Sequence, residues 1–282
     1  MDMVLRERIL VMDGAMGTLL SSTRKDSLNL TSPELIQSIH RQYLDAGADI
    51  LKTNTFNSNS GPKDYELNVA GARLARAEAD EWTAADPLRP RYVAGAMGPG
   101  LDGAASTAAY FEQARGLVEG GVDILLAETI TSIRTAQSAL RAFQELFAKI
   151  GRELPVMLSV TISRDGGLIS GESMEAFWNS ISNSRLFSVG INCGFGALNM
   201  RSFIERLSGM ASARVSFHPS AGLPNASGGY DEKPEEIAAI LGDLARQGHV
   251  DIVGGCCGTT PAYIRAIADA VGGIPRATID HL

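Results

Sequence analysis

The sequence has little cysteine, little histidine and no long apolar run. Its 282 residues include 3 cysteines and 4 histidines, and no apolar stretch approaches the roughly 20 residues of a membrane-spanning helix. Residues 1–8 lack the apolar core of a signal peptide. An odd number of cysteines without such a signal indicates reduced thiols, so we expect a cytoplasmic protein with no membrane partner.

Positive charge is also scarce. There are 25 Lys and Arg residues against 32 Asp and Glu residues, a formal net charge of -7, which argues against a nucleic-acid partner. Residues 98–103 match the dinucleotide pattern G-x-G-x-x-G, but Pro99 lies inside the pattern and no helix opens at once. We therefore do not expect a nicotinamide cofactor. Neither a P-loop nor an H-E-x-x-H motif occurs.

Glycine, by contrast, is abundant at the ends of short apolar runs. These runs alternate eight times with helical patterns, which predicts a parallel α/β sheet. Eight units closing on themselves give a (βα)8 TIM barrel, formed as a single domain by residues 1–282; an open doubly wound sheet is the alternative. The predicted strands are 9–12, 49–56, 92–97, 124–129, 156–162, 189–194, 215–218 and 252–253. Two helices are predicted to start at Pro33 and Pro261. Six others are predicted over 63–82, 108–119, 133–149, 174–181, 199–207 and 234–246.

The three cysteines lie at the ends of predicted strands. Cys193 ends strand six, and Cys256 and Cys257 follow strand eight within the sequence Gly-Gly-Cys-Cys-Gly at 254–258. Neighbouring side chains on an extended strand point to opposite faces, and these glycines permit a turn that aims both sulfurs at one point. Strands six and eight lie roughly 10 Å apart, a gap that one zinc ion can bridge. We predict a three-thiolate zinc site with one open position; buried structural thiols and a vicinal disulfide are the alternatives.

Two acidic residues end strands one and four. Asp13 is followed by glycine and Glu128 precedes a helical pattern, so turn formation and helix capping are open to them beside a role in a site. His218, at the end of strand seven, has metal binding and loop architecture as its two interpretations. The residues alone leave these alternatives open.

Five stretches of the chain resemble the homocysteine S-methyltransferase family, a group of zinc-dependent barrels. They are 12–18 (Met-Asp-Gly-Ala-Met-Gly-Thr), 53–56 (Thr-Asn-Thr-Phe), 127–129 (Ala-Glu-Thr), 190–193 (Gly-Ile-Asn-Cys) and 254–258. The resemblance covers residues 8 to 271. Within the family, residues 28–31, 218–226 and 258–261 are most similar to the homocysteine module of cobalamin-dependent methionine synthase.

The resemblance implies a role for each matching residue. Cys193, Cys256 and Cys257 would bind zinc, while Asp13 and Glu128 would bind the ammonium group of homocysteine. Backbone N–H groups in the first glycine turn would take the substrate carboxylate. Two asparagines are assigned to the same site, with the support of loops and cysteines as their alternative role. These further substrate-binding residues are Gly14, Ala15, Asn54 and Asn192.

The expected function is zinc-dependent methylation of homocysteine to methionine. Zinc would keep the substrate as a thiolate, the form that attacks an electrophilic methyl group. Similarity to a cobalamin-fed module implies methylcobalamin as the donor, on a separate corrinoid protein, because all eight predicted units belong to the barrel. This partner is expected to dock transiently at residues 57–60 and 223–225. The alternatives are an S-methylmethionine- or betaine-dependent methyltransferase, a non-catalytic homocysteine-carrying module and a barrel whose zinc is structural.

Overall fold

Short parallel strands alternate with helices in a computed structural model that describes residues 8–20, 25–59, 64–100 and 105–275. The strands are β1 (Leu10–Val11), β2 (Ile50–Lys52), β3 (Tyr92–Met97), β4 (Ile124–Ile130), β5 (Val156–Val160), β6 (Ser188–Cys193), β7 (Arg214–Pro219) and β8 (Ile252–Val253). Their order in the sheet is β1-β8-β7-β6-β5-β4-β3-β2, with every neighbouring pair parallel. A parallel bridge between Met12 and Ile50 closes the sheet between β1 and β2. The predicted (βα)8 barrel is confirmed.

The helices cover the outside of the barrel. The predicted ones are confirmed within a few residues at each end, although Lys63, where one was predicted to begin, lies outside the described residues. Two short helices, Met16–Leu19 and Leu28–Thr31, and a 3-10 turn at Lys25–Ser27 were not predicted. The helices are α1 (Met16–Leu19), α2 (Leu28–Thr31), α3 (Pro33–Asp45), α4 (Asp64–Ala85), α5 (Thr107–Gly120), α6 (Ile133–Ile150), α7 (Met174–Ile181), α8 (Ala197–Met210), α9 (Pro234–Arg246) and α10 (Pro261–Val271). Among the described helices, none combines the length and apolar character that crossing a bilayer demands.

One predicted strand is clearly too long. The sequence indicated a strand over 49–56, whereas β2 ends at Lys52. The N–H of Thr53 still donates to the Ala94 carbonyl of β3 (3.0 Å), but at Ala96 threonine hydroxyl groups replace the backbone pairing. Thr53 Oγ1 accepts the N–H of Ala96 (3.0 Å), and Thr55 Oγ1 donates to the carbonyl of the same residue (2.8 Å). Threonine side chains can compete with the backbone for its hydrogen bonds in this way.

The core has two layers, as expected for a closed barrel. A large apolar cluster lies between the strands and the surrounding helices, and a smaller one fills the barrel interior. The interior cluster consists of Leu10, Met12, Ile50, Ala94, Ile124, Leu126, Met157 and Ile252. Because side chains alternate along a strand, the next inward positions after Ile50 and Leu126 are Lys52 and Glu128. The interior therefore changes from apolar to charged towards the carboxyl ends of the strands.

Carboxylates secure the opposite, amino end of the barrel. Asp49, Asp123 and Asp251 each stand just before a strand, and each accepts a backbone N–H group from the neighbouring strand. These hydrogen bonds add side-chain pairing where the backbone ladder begins. The donors are Val11 (3.0 Å), Val93 (2.8 Å) and Val215 (2.8 Å).

Candidate metal centre and substrate cavity

The three cysteines meet at the carboxyl end of the barrel. Cys193 is the last residue of β6, and Cys256 and Cys257 lie in the turn that follows β8. Their sulfur atoms all lie within 4.8 Å of one another, and the Cys193 and Cys257 sulfurs are 3.6 Å apart. All three are free thiols. The predicted convergence of strands six and eight on one point is therefore what the fold produces.

The glycines around the cysteine pair act in two ways. Only Gly258 has a left-handed backbone, with φ of 82°, whereas Gly254 and Gly255 do not. A side chain at Gly254 would lie 2.9 Å from the Cβ of Met12, and one at Gly255 would collide with Thr259. Two of the glycines thus permit close packing against β1 and the turn, and the third permits the change of chain direction.

The sulfur geometry fits one tetrahedral zinc ion. Two thiolates on such an ion, with bonds of about 2.3 Å, lie roughly 3.8 Å apart. Two sulfurs also receive hydrogen bonds, from Ser220 Oγ to Cys193 (3.7 Å) and from Asn192 Nδ2 to Cys256 (3.8 Å). Within the described part of the chain, no His, Asp or Glu joins these cysteines as a fourth ligand, so His218 lies outside the cluster. This donor set suits a zinc ion with one position open, and the metal itself stays a prediction.

The thiols share their protons unequally. Hydrogen bonds from Cys256 and then Cys257 lower the pKa of the Cys193 thiol. The hydrogen bond to Cys193 is in turn the main reason why the pKa values of Cys256 and Cys257 are raised. Mutual hydrogen bonding thus favours the thiolate form of one cysteine at the expense of the other two, and thiolate is the form that binds metals.

A cavity of about 880 Å³ opens beside the cysteines. Its size falls in the range of small-molecule sites. Most of the residues that the sequence assigned to metal or substrate lie in its wall, namely Gly14, Ala15, Asn54, Glu128, Cys193, Cys256 and Cys257. Asp13 and Asn192 are instead buried behind the wall, 1% and 0% exposed. The fold thus brings all the predicted residues together, seven in the cavity wall and two buried behind it.

Asp13 is held by a lysine that the sequence analysis did not single out. The Asp13 carboxylate accepts the backbone N–H of Lys52 (2.9 Å) and lies 3.6 Å from its ammonium group. The ammonium also donates to the carbonyl of Gly255 (3.0 Å), next to Cys256. Burial raises the pKa of Asp13 to about 7, an effect that the charge of Lys52 opposes. An internal cation thus lies beside Asp13, and direct contact of this carboxylate with the substrate ammonium stays a prediction.

Glu128 has no such partner. It is the fifth residue of β4, is buried and lines the cavity. Burial raises the pKa of its carboxyl group; the Lys52 ammonium lowers it, and Cys193 raises it further. No described residue hydrogen-bonds its side chain. A buried carboxylate that lacks a hydrogen-bond donor and shares the charge of Lys52 with Asp13 has much to gain from a cationic ligand.

The first turn and Asn54 also line the cavity. Gly14 packs tightly, since an added Cβ would lie 2.8 Å from Thr259 Oγ1, and the N–H of Ala15 donates to the Thr259 carbonyl (3.3 Å). The Asn54 amide donates to the carbonyl of Lys25 (2.8 Å) and to Asn29 Oδ1 (3.0 Å). These contacts fit the loop-supporting role considered for Asn54, while its contact with substrate stays a prediction.

Lys52 and Tyr230 are site residues that the sequence analysis missed. Lys52 had a signal: it is a lysine at an inward-facing position of an apolar strand, where an unpaired charge would be costly. Tyr230 comes from the loop before α9, and its hydroxyl interacts with Cys257 while its ring packs over Gly258. No sequence pattern links Tyr230 to the cysteines, because only the folded loop brings them together.

Two further expectations fall partly outside the described residues. The dinucleotide-like pattern ends at 101–103 and the first docking segment at Ser60, none of which is described. Asn57 lines the cavity and Leu223 is 49% exposed. Docking of a partner at these two loops stays a prediction.

The fold and the site define a (βα)8 barrel with a three-cysteine centre at its carboxyl end. The sequence profile of the homocysteine S-methyltransferase family matches residues 10–271. This chain belongs to the homocysteine S-methyltransferase family, and membership makes it a methyltransferase.

Solved structures agree on the architecture. The chain is similar to the Escherichia coli homocysteine methyltransferase MmuM in its apo form, with 23% identity over 95% of this chain and 98% of that one and a TM-score of 0.74. A metallated form of MmuM gives 22% identity, 94% and 97% coverage and the same TM-score. Ribulose-1,5-bisphosphate carboxylase/oxygenase from Pyrococcus horikoshii OT3 reaches a TM-score of 0.60 at 15% identity, over 95% of this chain and 60% of that one. At these identities the likeness shows the fold alone.

Proposed function

We propose that this protein is a zinc-dependent homocysteine S-methyltransferase that produces methionine. The observation that carries the proposal is the meeting of three cysteine thiols in the wall of a cavity that Glu128 also lines. A thiolate-binding metal and an unpaired acid side by side suit a substrate with a thiol at one end and an ammonium group at the other. Homocysteine, the substrate named by the family, has both groups.

The residues divide the work between sulfur and head group. Cys193, Cys256 and Cys257 would hold zinc, which when bound removes the proton of a coordinated thiol at neutral pH. No side chain then has to act as a general base. Glu128 would bind and orient the substrate ammonium, and in doing so aim the sulfur towards the cysteines. The backbone N–H group of Gly14 would donate to the substrate carboxylate, while Ala15, whose own N–H donates to the Thr259 carbonyl, would line the cavity beside it.

Lys52 and Asp13 would support this arrangement from behind. The Lys52 ammonium joins the carboxylate of Asp13 to the carbonyl of Gly255, and so joins β1 and β2 to the turn that carries Cys256. A fixed cation at this depth also offsets the negative charge that thiolates and Glu128 bring to the cavity. In this arrangement Asp13 acts on the substrate through Lys52.

The methyl donor is the less constrained part of the proposal. Methylcobalamin on a separate corrinoid protein remains our first candidate, since the sequence is most similar to a cobalamin-fed module. A small cationic donor such as S-methylmethionine or betaine is the second. It is favoured by three aromatic side chains in the cavity wall, because aromatic rings attract sulfonium and quaternary ammonium groups. These rings belong to Phe56, Tyr230 and Tyr263.

A donor screen tests both the activity and the non-catalytic alternative. The zinc-loaded protein is incubated with homocysteine and, in separate tubes, methylcobalamin, S-methylmethionine, betaine or no donor, and methionine is measured by mass spectrometry. Turnover with any donor supports a methyltransferase, and the tube identifies the donor class. Absence of methionine in every tube, with homocysteine bound, would favour a carrier module.

Metal content provides the matching control. We expect about one zinc ion per chain, lost when Cys256 is replaced by serine, because the remaining two thiols leave an incomplete site. Far-UV circular dichroism checks that the variant is folded, and metal analysis after dialysis gives the zinc content. Full zinc occupancy in Cys256→Ser would contradict the three-thiolate assignment.

A further inference from the structure

Two non-glycine residues of the described chain have a left-handed backbone, and both lie in the site. They are Thr129, with φ of 57°, and Cys193, with φ of 63°. Thr129 directly follows Glu128, and Cys193 is itself a candidate metal ligand. A β-branched residue in this conformation is an outlier that persists only when its surroundings hold it there. Thr129 therefore needs contacts that hold its backbone in this conformation.

Asn192 holds it with two hydrogen bonds. Its Oδ1 accepts the backbone N–H of Thr129 (2.9 Å), and its Nδ2 donates to Thr129 Oγ1 (2.9 Å). The same Nδ2 also donates to the sulfur of Cys256 (3.8 Å). An asparagine amide has two N–H groups, so both are used, one on each partner. The side chain is fully buried and does not line the cavity.

The position of Asn192 in the barrel allows it to reach both partners. It lies on β6, and the sheet order places β4 two strands to one side and β8 two strands to the other. On β4, Glu128 is the next inward-facing residue after Ile124 and Leu126, and Cys256 lies in the turn after β8. One amide thus spans the site from the middle, joining the carboxylate side to the metal side.

We propose that Asn192 is a positioning residue that couples the two halves of the site. One half of its amide fixes the strained Thr129 and thereby aims Glu128 at the substrate head group; the other donates to the Cys256 sulfur and thereby tunes that sulfur as a metal ligand. The proposal rests on the proposed function and assigns Asn192 no contact with substrate. Hydrogen bonds to metal ligands set ligand orientation and basicity in this way.

The contacts of Asn192 with Thr129 (the first, or Thr129, arm) and with the Cys256 sulfur (the second, or sulfur, arm) can be separated by substitution. Thr129→Gly removes the need for the first arm, because glycine adopts a left-handed backbone without support. Ser220→Ala is the matched control for the second, because it removes a sulfur donor, that of Cys193, and leaves Thr129 untouched. Asn192→Ala removes both arms together, and the double variant Asn192→Ala/Thr129→Gly keeps only the loss at sulfur.

The experiment uses cobalt(II) in place of zinc, so that the metal site can be read without turnover. The sulfur-to-cobalt absorption band, the cobalt dissociation constant against a competing chelator and the homocysteine dissociation constant at saturating cobalt are measured for each variant. For Asn192→Ala we expect a shifted band, about 10- to 100-fold weaker metal binding and about 10-fold weaker homocysteine binding. Adding Thr129→Gly should restore homocysteine binding but neither metal property. Ser220→Ala should shift the band and leave homocysteine binding intact.

Each arm has an outcome that overturns it. An unchanged band and metal affinity in Asn192→Ala would remove the sulfur arm, and failure of Thr129→Gly to restore homocysteine binding would remove the Thr129 arm. If Asn192→Ala does not fold, Asn192→Asp replaces it, since aspartate keeps the acceptor for the Thr129 N–H and loses both donors. Absence of methyl transfer in the donor screen would refute the proposed function and leave these binding measurements interpretable.

Discussion

Buried carboxylates have opposite surroundings at the two ends of the barrel. At the amino end, Asp49 accepts the N–H of Val11 (3.0 Å) and pairs with Arg8 (2.7 Å) and Arg89 (2.9 Å). Its side chain is fully buried, while both arginines reach solvent. Asp49 therefore has two partners of opposite sign, which is the condition under which burying a carboxylate is tolerated.

At the carboxyl end the pairing is incomplete. Asp13 Oδ1 has no hydrogen bond within the described chain and relies on the Lys52 ammonium 3.6 Å away, and Glu128 has no hydrogen-bond donor there at all. Burial raises the pKa of both acids as a consequence. The same residue types thus serve stability at one end and are left available for a ligand at the other, where the fold gives up some stability.

The largest effect is expected at the amino end. Replacing Asp49 by asparagine removes the charge that Arg8 and Arg89 share, and we expect the free energy of unfolding to fall by about 3 kcal/mol. Urea unfolding followed by circular dichroism measures this loss. Homocysteine affinity should not change, because Asp49 lies at the far end of the strands from the cavity. If the free energy of unfolding of Asp49→Asn equals that of the wild type, the ion pairs at the amino end do not stabilise the fold as proposed.

Glu128 supplies the matched substitution at the carboxyl end. Because no described residue hydrogen-bonds its carboxylate, Glu128→Gln should leave stability and zinc content nearly unchanged. Loss of the charge-assisted bond to the substrate ammonium should weaken homocysteine binding by about 1.5–3 kcal/mol, or roughly 10- to 150-fold. Isothermal titration calorimetry gives the affinity. A variant that loses stability and binds homocysteine normally would reverse the roles assigned to the two ends.

His40 tests whether a buried titratable group without a hydrogen-bond partner, away from the site, also changes the pH dependence of stability. Buried in α3 with no hydrogen bond to its ring among the described residues, it has a pKa lowered by burial to about 3. The unfolded chain binds a proton below about pH 6.5 and the folded chain does not, so stability should fall by about 1.4 kcal/mol per unit as the pH drops from 6.5 towards 3.

The His40→Leu variant isolates this contribution. His218, whose pKa is also lowered by burial, acts in the same direction, and Asp13, with its raised pKa, acts in the opposite one. Urea midpoints of wild type and variant at pH 7.5 and 5.5 are therefore compared as a difference, and the variant should lose about 1.4 kcal/mol less on acidification. Equal losses would mean that His40 gains a proton in the folded state without penalty.

The barrel could be predicted because its signal is local and repeated. Each unit has its own apolar run, and eight such runs leave closure as the simplest way to bury them. The short helices α1 and α2 were not predicted because tertiary contacts support them. For example, Asn29 of α2 donates to the Asn54 carbonyl (2.8 Å), 25 residues away in the sequence. Propensity over four residues is too weak to signal such an element.

The sequence by itself determined the alternation of eight strands and eight helices, the three cysteines at or just after strands six and eight, and the family to which the chain belongs. Only the tertiary structure decided that Asp13 pairs with Lys52, that Asn192 contacts both Thr129 and Cys256, and that no described residue donates a hydrogen bond to Glu128. The reason is physical. Strand position follows from a period of two residues along the chain, whereas a hydrogen bond between β4, β6 and the turn after β8 depends on the closure and register of the whole barrel.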